Sequence, residues 1–269
     1  MNHLSLLVKH TCLLAALFAM NIVSAQTDAK SNELINNMIE VIGNYDKLKA
    51  KKDVQFDYVY DNFDAGKDIS LEKLIFDGEL SWASYSQHDR NVLPGQEGEA
   101  KQSLIHGKPQ LTLNGKFVTD EKALGATVFI REVNPFWFSM IYKLKDNGTN
   151  YTYLGTETVD GIDYEKVSLK YDNAITKKPA DDEYILYFNP KTHMIDLFFF
   201  SLPAFGVNQP ILKMTMSYEI IDGIYIPTVR NSYGPNPETG EYQLGGTYTF
   251  KNVKFNNGFK AEDFVLKGE

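Results

Sequence analysis

Pairs of Asp-Gly and Asn-Gly recur along this chain at the spacing of β-hairpins, and no other feature narrows its fold so far. They stand at Asp77-Gly78, Asn114-Gly115, Asp160-Gly161, Asp222-Gly223 and Asn257-Gly258. A two-residue loop of type I′ needs φ > 0 at both central positions, and Asn or Asp followed by Gly supplies that at least steric cost. The segments between the pairs alternate apolar and polar residues: Val54 to Tyr60, Ile69 to Phe76, Glu79 to Tyr85, Gln110 to Leu113 with Lys116 to Val118, Tyr151 to Val159, Tyr164 to Tyr171 and Thr247 to Phe255. A period of two is the signature of a strand with one buried face. Together with the strands of the next paragraph they predict an antiparallel meander of about ten strands. An open sheet of that size curls, so a curved sheet or partial barrel covered by helix is expected.

The clearest run is Asp182 to Tyr233. Tyr184 to Phe188 ends at Asn189-Pro190-Lys191-Thr192, where Asn opens a type I turn and Pro190 presets φ at its second position. Ile195 to Phe200 returns almost wholly apolar, as a strand buried on both faces or lining a covered cavity does. From Ile211 to Ile220, Leu212, Met214, Met216, Tyr218 and Ile220 point one way and Lys213, Thr215, Ser217 and Glu219 the other. After Asp222-Gly223 the next strand runs through Ile224, Ile226, Thr228 and Arg230, with Pro227 marking an edge or a bulge.

The first 25 residues stand apart from this pattern. Lys9 and His10, the apolar run Leu13 to Ala19 and the small residues Val23-Ser24-Ala25 before Gln26 have the three parts of a cleavable secretory leader. The apolar run is shorter than the ~20 residues of a membrane-spanning helix. Cys12, the sole cysteine of the chain, lies within the leader, so the remaining segment, 26–269, has no disulfide and must be stabilised by core burial as one domain. The expected location is periplasmic or extracellular. With 27 basic against 35 acidic residues, the chain carries a net charge of −8. That balance argues against nucleic acid and anionic membrane surfaces as partners.

Two helices are predicted. Ser31 is placed to cap a long N-terminal helix whose apolar stripe is Leu34, Ile35, Met38, Ile39, Val41 and Ile42, ending at Gly43. Asn134 to Asp146 predicts a short helix started by Pro135, with Phe136, Trp137, Phe138, Met140, Ile141 and Tyr142 close behind, docked on the concave face beside the first. Asn91 to Gln102, with Pro94, Gly95 and Gly98, reads as a solvated loop.

The order of leader, amphipathic helix and meander, with "YFNPKTHMIDLFFF", "MTMSYEIIDGIYIPT" and "YTFKNVKFNNGFKAEDF", resembles a secreted branch of the LolA/LolB-like superfamily of outer-membrane lipoprotein carriers of Gram-negative bacteria. The likeness runs through Asn189 to Thr192, the Asp-Gly-Ile turn, Ile226-Pro227-Thr228 and Asn256 to Phe264. It implies an α+β, mainly β fold: an unclosed antiparallel half-barrel whose concave face is covered by one long N-terminal helix and a short one.

Chemistry is sparse beside this. Past the leader only His88, His106 and His193 remain. His88-Asp89 has no second ligand at metal spacing and reads as an exposed loop histidine, and His193 reads as a turn residue. The acidic run Asp181-Asp182-Glu183 reads as a solvated strand entrance. No nucleophile elbow, zinc-protease or phosphate-loop motif occurs. The expectation is a protein that is not an enzyme and needs neither cofactor nor metal. Apolar supply is what rises above this background. Phe136, Trp137, Phe138, Met140, Phe198, Phe200, Leu202, Phe205, Met214 and Met216 either line a cavity for an apolar ligand or fill the core between sheet and helices. The first alternative is a carrier for a lipid, an acyl chain or a lipidated protein. The second is an interaction module of the cell envelope that docks another envelope protein.

Overall fold

The computed structural model describes residues 29–176 and 182–268, so the leader, Cys12 and Asp181 lie outside the described residues. Residues 29–42 are helical (α1) and Tyr45–Lys49 form a single further turn (α2). Strands follow at Asp53–Asn62 (β1), Gly66–Ile75 (β2), Leu80–His88 (β3), Ala100–Ile105 (β4), Lys108–Leu113 (β5) and Lys116–Phe117 (β6). A helix at Glu121–Ser139 (α3) leads to Thr149–Val159 (β7) and Ile162–Tyr171 (β8). After the short Asn173–Thr176 (α4) come Tyr184–Phe188 (β9), Ile195–Leu202 (β10), Val207–Ile221 (β11), Ile224–Pro235 (β12) and Tyr242–Phe255 (β13).

All thirteen strands belong to one sheet in the order β6-β5-β4-β3-β2-β1-β13-β12-β11-β10-β9-β8-β7. Every sequential hairpin pairs antiparallel, and β1 lies against β13 with Val54 opposite Phe255. The sheet is an unclosed half-barrel. Its two edge strands, β6 and β7, are consecutive in the chain, and α3 is the connection between them. This helix therefore crosses the concave face from one rim to the other, contacting β3, β4 and β5 on one side and β12 on the other.

Three of the five Asp-Gly and Asn-Gly pairs behave as their chemistry requires; at the first the positive φ falls on Gly78 and Glu79, and Asn257-Gly258 follows the last strand and closes no hairpin. Asn114-Gly115, Asp160-Gly161 and Asp222-Gly223 hold φ of 51° and 79°, 49° and 78°, and 51° and 78°, the type I′ pattern. Asn189 Oδ1 accepts from the Lys191 N–H at 2.9 Å, which closes the turn before β10. Pro227 sits at a bulge: two residues of β12 oppose one of β11 between Ser217 and Glu219. The bulge also shifts the alternation of β11, so Ile220, expected on the buried face, is 62% exposed while Ile221 packs on the core.

Four expectations need correction. The sheet has thirteen strands: β4 occupies the end of what reads as a loop, Val92 and Ala100 are buried, and the β4–β5 turn is made by His106 and Gly107 at φ 47° and 76°. Helix α3 begins fourteen residues before Pro135, at an Asp120 cap whose side chain accepts from the Ala123 N–H at 2.8 Å. Pro135 is thus interior to it, and Ser139 Oγ donates to the Pro135 carbonyl at 2.7 Å. Ser31 is not a cap, since residues 29 and 30 are already helical and Ser31 is buried. His88 is the buried last residue of β3, its ring nitrogens 2.8 Å and 3.0 Å from the carbonyls of Val92 and Gly98.

The main core lies on the concave face, under α1 and the C-terminal half of α3. Leu34, Ile35, Met38 and Ile42 of α1 meet Phe56, Leu186, Phe188, Phe198 and Phe250 there. Phe138 is fully buried, stacked on Phe56 at 4.7 Å and 5.4 Å from the Phe250 ring. On the other face Leu197 and Phe199 pack with Tyr164 and Tyr187, so β10 is covered on both sides, as its unbroken apolar run implies. Phe138→Ala removes the ring that joins α3 to this core. It is expected to cost about 3–5 kcal/mol in urea-induced unfolding, against little change for the exposed Phe63→Ala.

Candidate functional site

Helix α3 does not present a uniformly apolar face to the sheet. Its buried residues Thr127, Ile130, Arg131, Asn134 and Phe138 recur every three to four positions, and the first half of that face is polar. Across the sheet, Phe56, Glu72, Ala83, Gln102 and Leu111 stand opposite one another in successive strands, and Glu72 is completely buried. Arg131 reaches it with two nitrogens, Nη1 donating to Oε2 at 2.5 Å and Nη2 to Oε1 at 3.1 Å. Asn134 Nδ2 and Ser70 Oγ also donate to Glu72 Oε1, at 3.1 Å and 2.7 Å. Arg131 Nη2 donates to Tyr85 Oη at 2.7 Å, Tyr85 to Gln102 at 3.2 Å, and Gln102 to Thr127 at 3.0 Å, which returns the network to the helix. Burying two charges is costly, and this geometry offsets the cost by satisfying nearly every donor and acceptor.

Beyond this network the interior becomes aromatic. Trp137 stacks near Phe198 at 6.1 Å and meets Phe200 edge-on at 5.8 Å, and Tyr184 lies 5.9 Å from Phe198. Met214 and Met216 are buried alongside. Of the ten residues expected to line a cavity or fill the core, Phe136, Trp137, Phe138, Met140, Phe198, Phe200, Leu202, Met214 and Met216 come together in this cluster. Phe205 does not. It is 67% exposed in the turn between β10 and β11, its ring 5.8 Å from that of Phe129 on α3. The side chains of the cluster pack against one another between sheet and helices. A recess of 50 Å³ opens beside it among Tyr45, Leu74, Phe76, Glu79, Pro135 and Lys143. An acyl chain could enter this interior only by displacing part of its helical cover.

Arg230 stands at the boundary between the two regions. Its guanidinium carbon is 4.7 Å from the Phe250 ring, 5.1 Å from Trp137, 5.7 Å from Tyr58 and 5.9 Å from Tyr248. The residue is 1% exposed, and among the described residues the one hydrogen bond of its side chain runs from Nη2 to Tyr58 Oη at 3.0 Å. The sequence held a signal for it, because Arg230 shares the register of Ile224, Ile226 and Thr228, a charge in the apolar phase of a strand. Arg131 and Asn134 gave no comparable signal, since polar residues at helical spacing read as solvent-facing, and Glu72 shares its strand phase with the polar Asp68 and Ser70.

The phenols of this interior are pushed upward. Burial raises Tyr58 to about 12 from its ordinary 10.0, with Arg230 opposing the shift. Burial raises Tyr85 as well, against the pull of Arg131. Among the described residues no group of three or more His, Cys, Asp or Glu side chains is placed to hold a metal ion. No helix among them is long and apolar enough to cross a membrane.

Comparison with known proteins bears on both fold and family. The chain matches the DUF6503 family, described as a family of unknown function, over residues 9–208. No curated protein matches it significantly. Its structure is similar to that of a DUF1329 family protein from Desulfovibrio piger, with a TM-score of 0.50 and 14% identity over 87% of this chain and 97% of that one. A LolA superfamily protein from Nitrosomonas europaea is similar at a TM-score of 0.50 and 11% identity, with the same coverage of both chains. The fold is therefore shared with these two proteins.

Two outcomes are expected here. Glu72→Gln or Arg131→Met alone leaves a buried charge unpaired and is expected to cost about 3–5 kcal/mol, while Glu72→Met with Arg131→Met recovers much of the loss; a double-mutant cycle by chemical denaturation measures this. Because Tyr58 and Tyr85 keep their protons longer folded than unfolded, their contribution is complete below pH 10 and is lost as pH rises through the folded values. Thermal unfolding between pH 9 and 12, about one unit below to two above the ordinary phenol value, should therefore show a falling midpoint, and a shallower fall in Tyr58→Phe.

Proposed function

We propose that this chain, which belongs to the DUF6503 family of unknown function, is a secreted, envelope-located, non-enzymatic binding protein that shelters an apolar molecule in the concavity of its half-barrel. The molecule is an acyl chain, or the acyl chain of a lipidated partner. One observation carries the reading: the aromatic interior is covered by helix and not by a second sheet. No ladder hydrogen bond holds α3 in place, so it can shift without unpairing any strand, and the surface it uncovers carries Phe198 and Phe200, which face Trp137 of the helix. Solvent exclusion then supplies the affinity, at ~0.8 kcal/mol for each buried CH₂. The leader-like N-terminus and the carrier fold support the location and the class of ligand.

The close packing of the same interior favours a second reading, an interaction module with a permanently filled core. Its docking surface would be the rim where Phe205 and Phe129 are exposed.

Native mass spectrometry of the chain purified from its native envelope, with lipid extraction, separates the two. A co-purifying acyl species is expected. A clean apo mass together with no uptake of a fluorescent fatty acid would overturn the carrier reading. Trp137→Ala is expected to weaken uptake on the order of tenfold, equivalent to ~1.4 kcal/mol. Trp137 is only partly buried, so its loss should lower the melting point less than Phe138→Ala does.

A further inference from the structure

We infer that Arg230 is the anion site of the concave interior and takes the carboxylate of an acyl chain that ends in a free acid. This inference rests on the carrier reading and names the head group that the reading leaves open.

The argument starts from a charge without a counter-charge. The three buried carboxylates among the described residues are each engaged elsewhere. Asp53 accepts from the backbone of Asn257 and Gly258, Asp68 from that of Arg90 and Asn91, and Glu72 from Arg131. Among the described residues no carboxylate comes within ion-pair distance of Arg230, and its Nε, like that of Arg131, has no hydrogen-bond partner. Arg131, buried to the same degree in the same interior, shows what a guanidinium ordinarily has there: a carboxylate gripped by two nitrogens. Four aromatic faces stabilise the Arg230 charge in part, but they accept none of its remaining N–H bonds. A planar fork with free donors in a dry site is complementary to a carboxylate, which accepts two parallel bonds from it.

The position suits an acid carried on a hydrocarbon. Tyr58, Tyr248 and Phe250 belong to the sheet, and Trp137 alone of the four rings belongs to α3. A ligand that lifts Trp137 off these rings meets the guanidinium with its head. Its chain then lies between Trp137 and the rings of Phe198 and Phe200. Met216, opposite Arg230 on the neighbouring strand, extends that apolar floor.

The test compares cis-parinaric acid with its methyl ester on the purified chain, using wild type, Arg230→Met and Arg230→Lys. The wild type is expected to bind the acid on the order of tenfold more tightly than the ester. Arg230→Met should bind both equally, at the ester's affinity, and Arg230→Lys should keep part of the preference. Equal binding of acid and ester by the wild type, or an unchanged preference in Arg230→Met, overturns the assignment and leaves the carrier reading standing. Binding of neither compound overturns both. The wild-type comparison decides the matter even where Arg230→Met does not fold.

Discussion

A helix that crosses a concave sheet without pairing to it must be held by its side chains, and the buried pair Arg131–Glu72 is what holds α3. Much follows from this attachment. It sits near the middle of the helix, so it fixes the N-terminal half over β2 to β5 and leaves the C-terminal half to be seated by Phe138 and Trp137. A hydrogen-bonded ion pair fixes direction and register, whereas ring stacking tolerates displacement. The two ends of one helix are thus held by forces of different kinds.

The interior is polarised accordingly. On one side the polar groups satisfy each other in a closed network running from Glu72 to Thr127. On the other lie rings and thioethers, with Arg230 facing them. Such an arrangement is hard to explain as packing alone, because an apolar residue of similar volume at Arg230 would remove a desolvation cost without disturbing any ion pair. Selection for stability does not account for that charge.

How much was legible beforehand depends on where each element carries its information. The hairpins at Asn114-Gly115, Asp160-Gly161 and Asp222-Gly223 declare themselves, because positive φ at two successive residues is a demand on those residues alone, whereas Asp77-Gly78 and Asn257-Gly258 do not meet it. His106-Gly107 meets the same demand with an unusual first residue, so β4 passed unseen. Helix α3 was misread for a different reason. Its buried face includes Thr127, Arg131 and Asn134, which leave no apolar stripe, and Pro135 resembles a beginning although it lies inside. The aromatic cluster could be listed from composition and strand phase, and nine of its ten members converge. Phe205 could not be placed, since its exposure is set by the turn after Leu202 and not by alternation along a strand.

The pairing of β1 with β13 has a consequence in time. Val54 finds its partner in Phe255, and Asp53 accepts backbone hydrogen bonds from Asn257 and Gly258, so the first strand is completed only by the last. A chain delivered from its N-terminus, whether from a ribosome or through a translocation channel, cannot join the two halves of the sheet until nearly all of it has emerged. Contacts of such long sequence separation are entropically late and slow to form. Until then β1 waits as an open edge, and the molecule depends on whatever keeps that edge from pairing with something else.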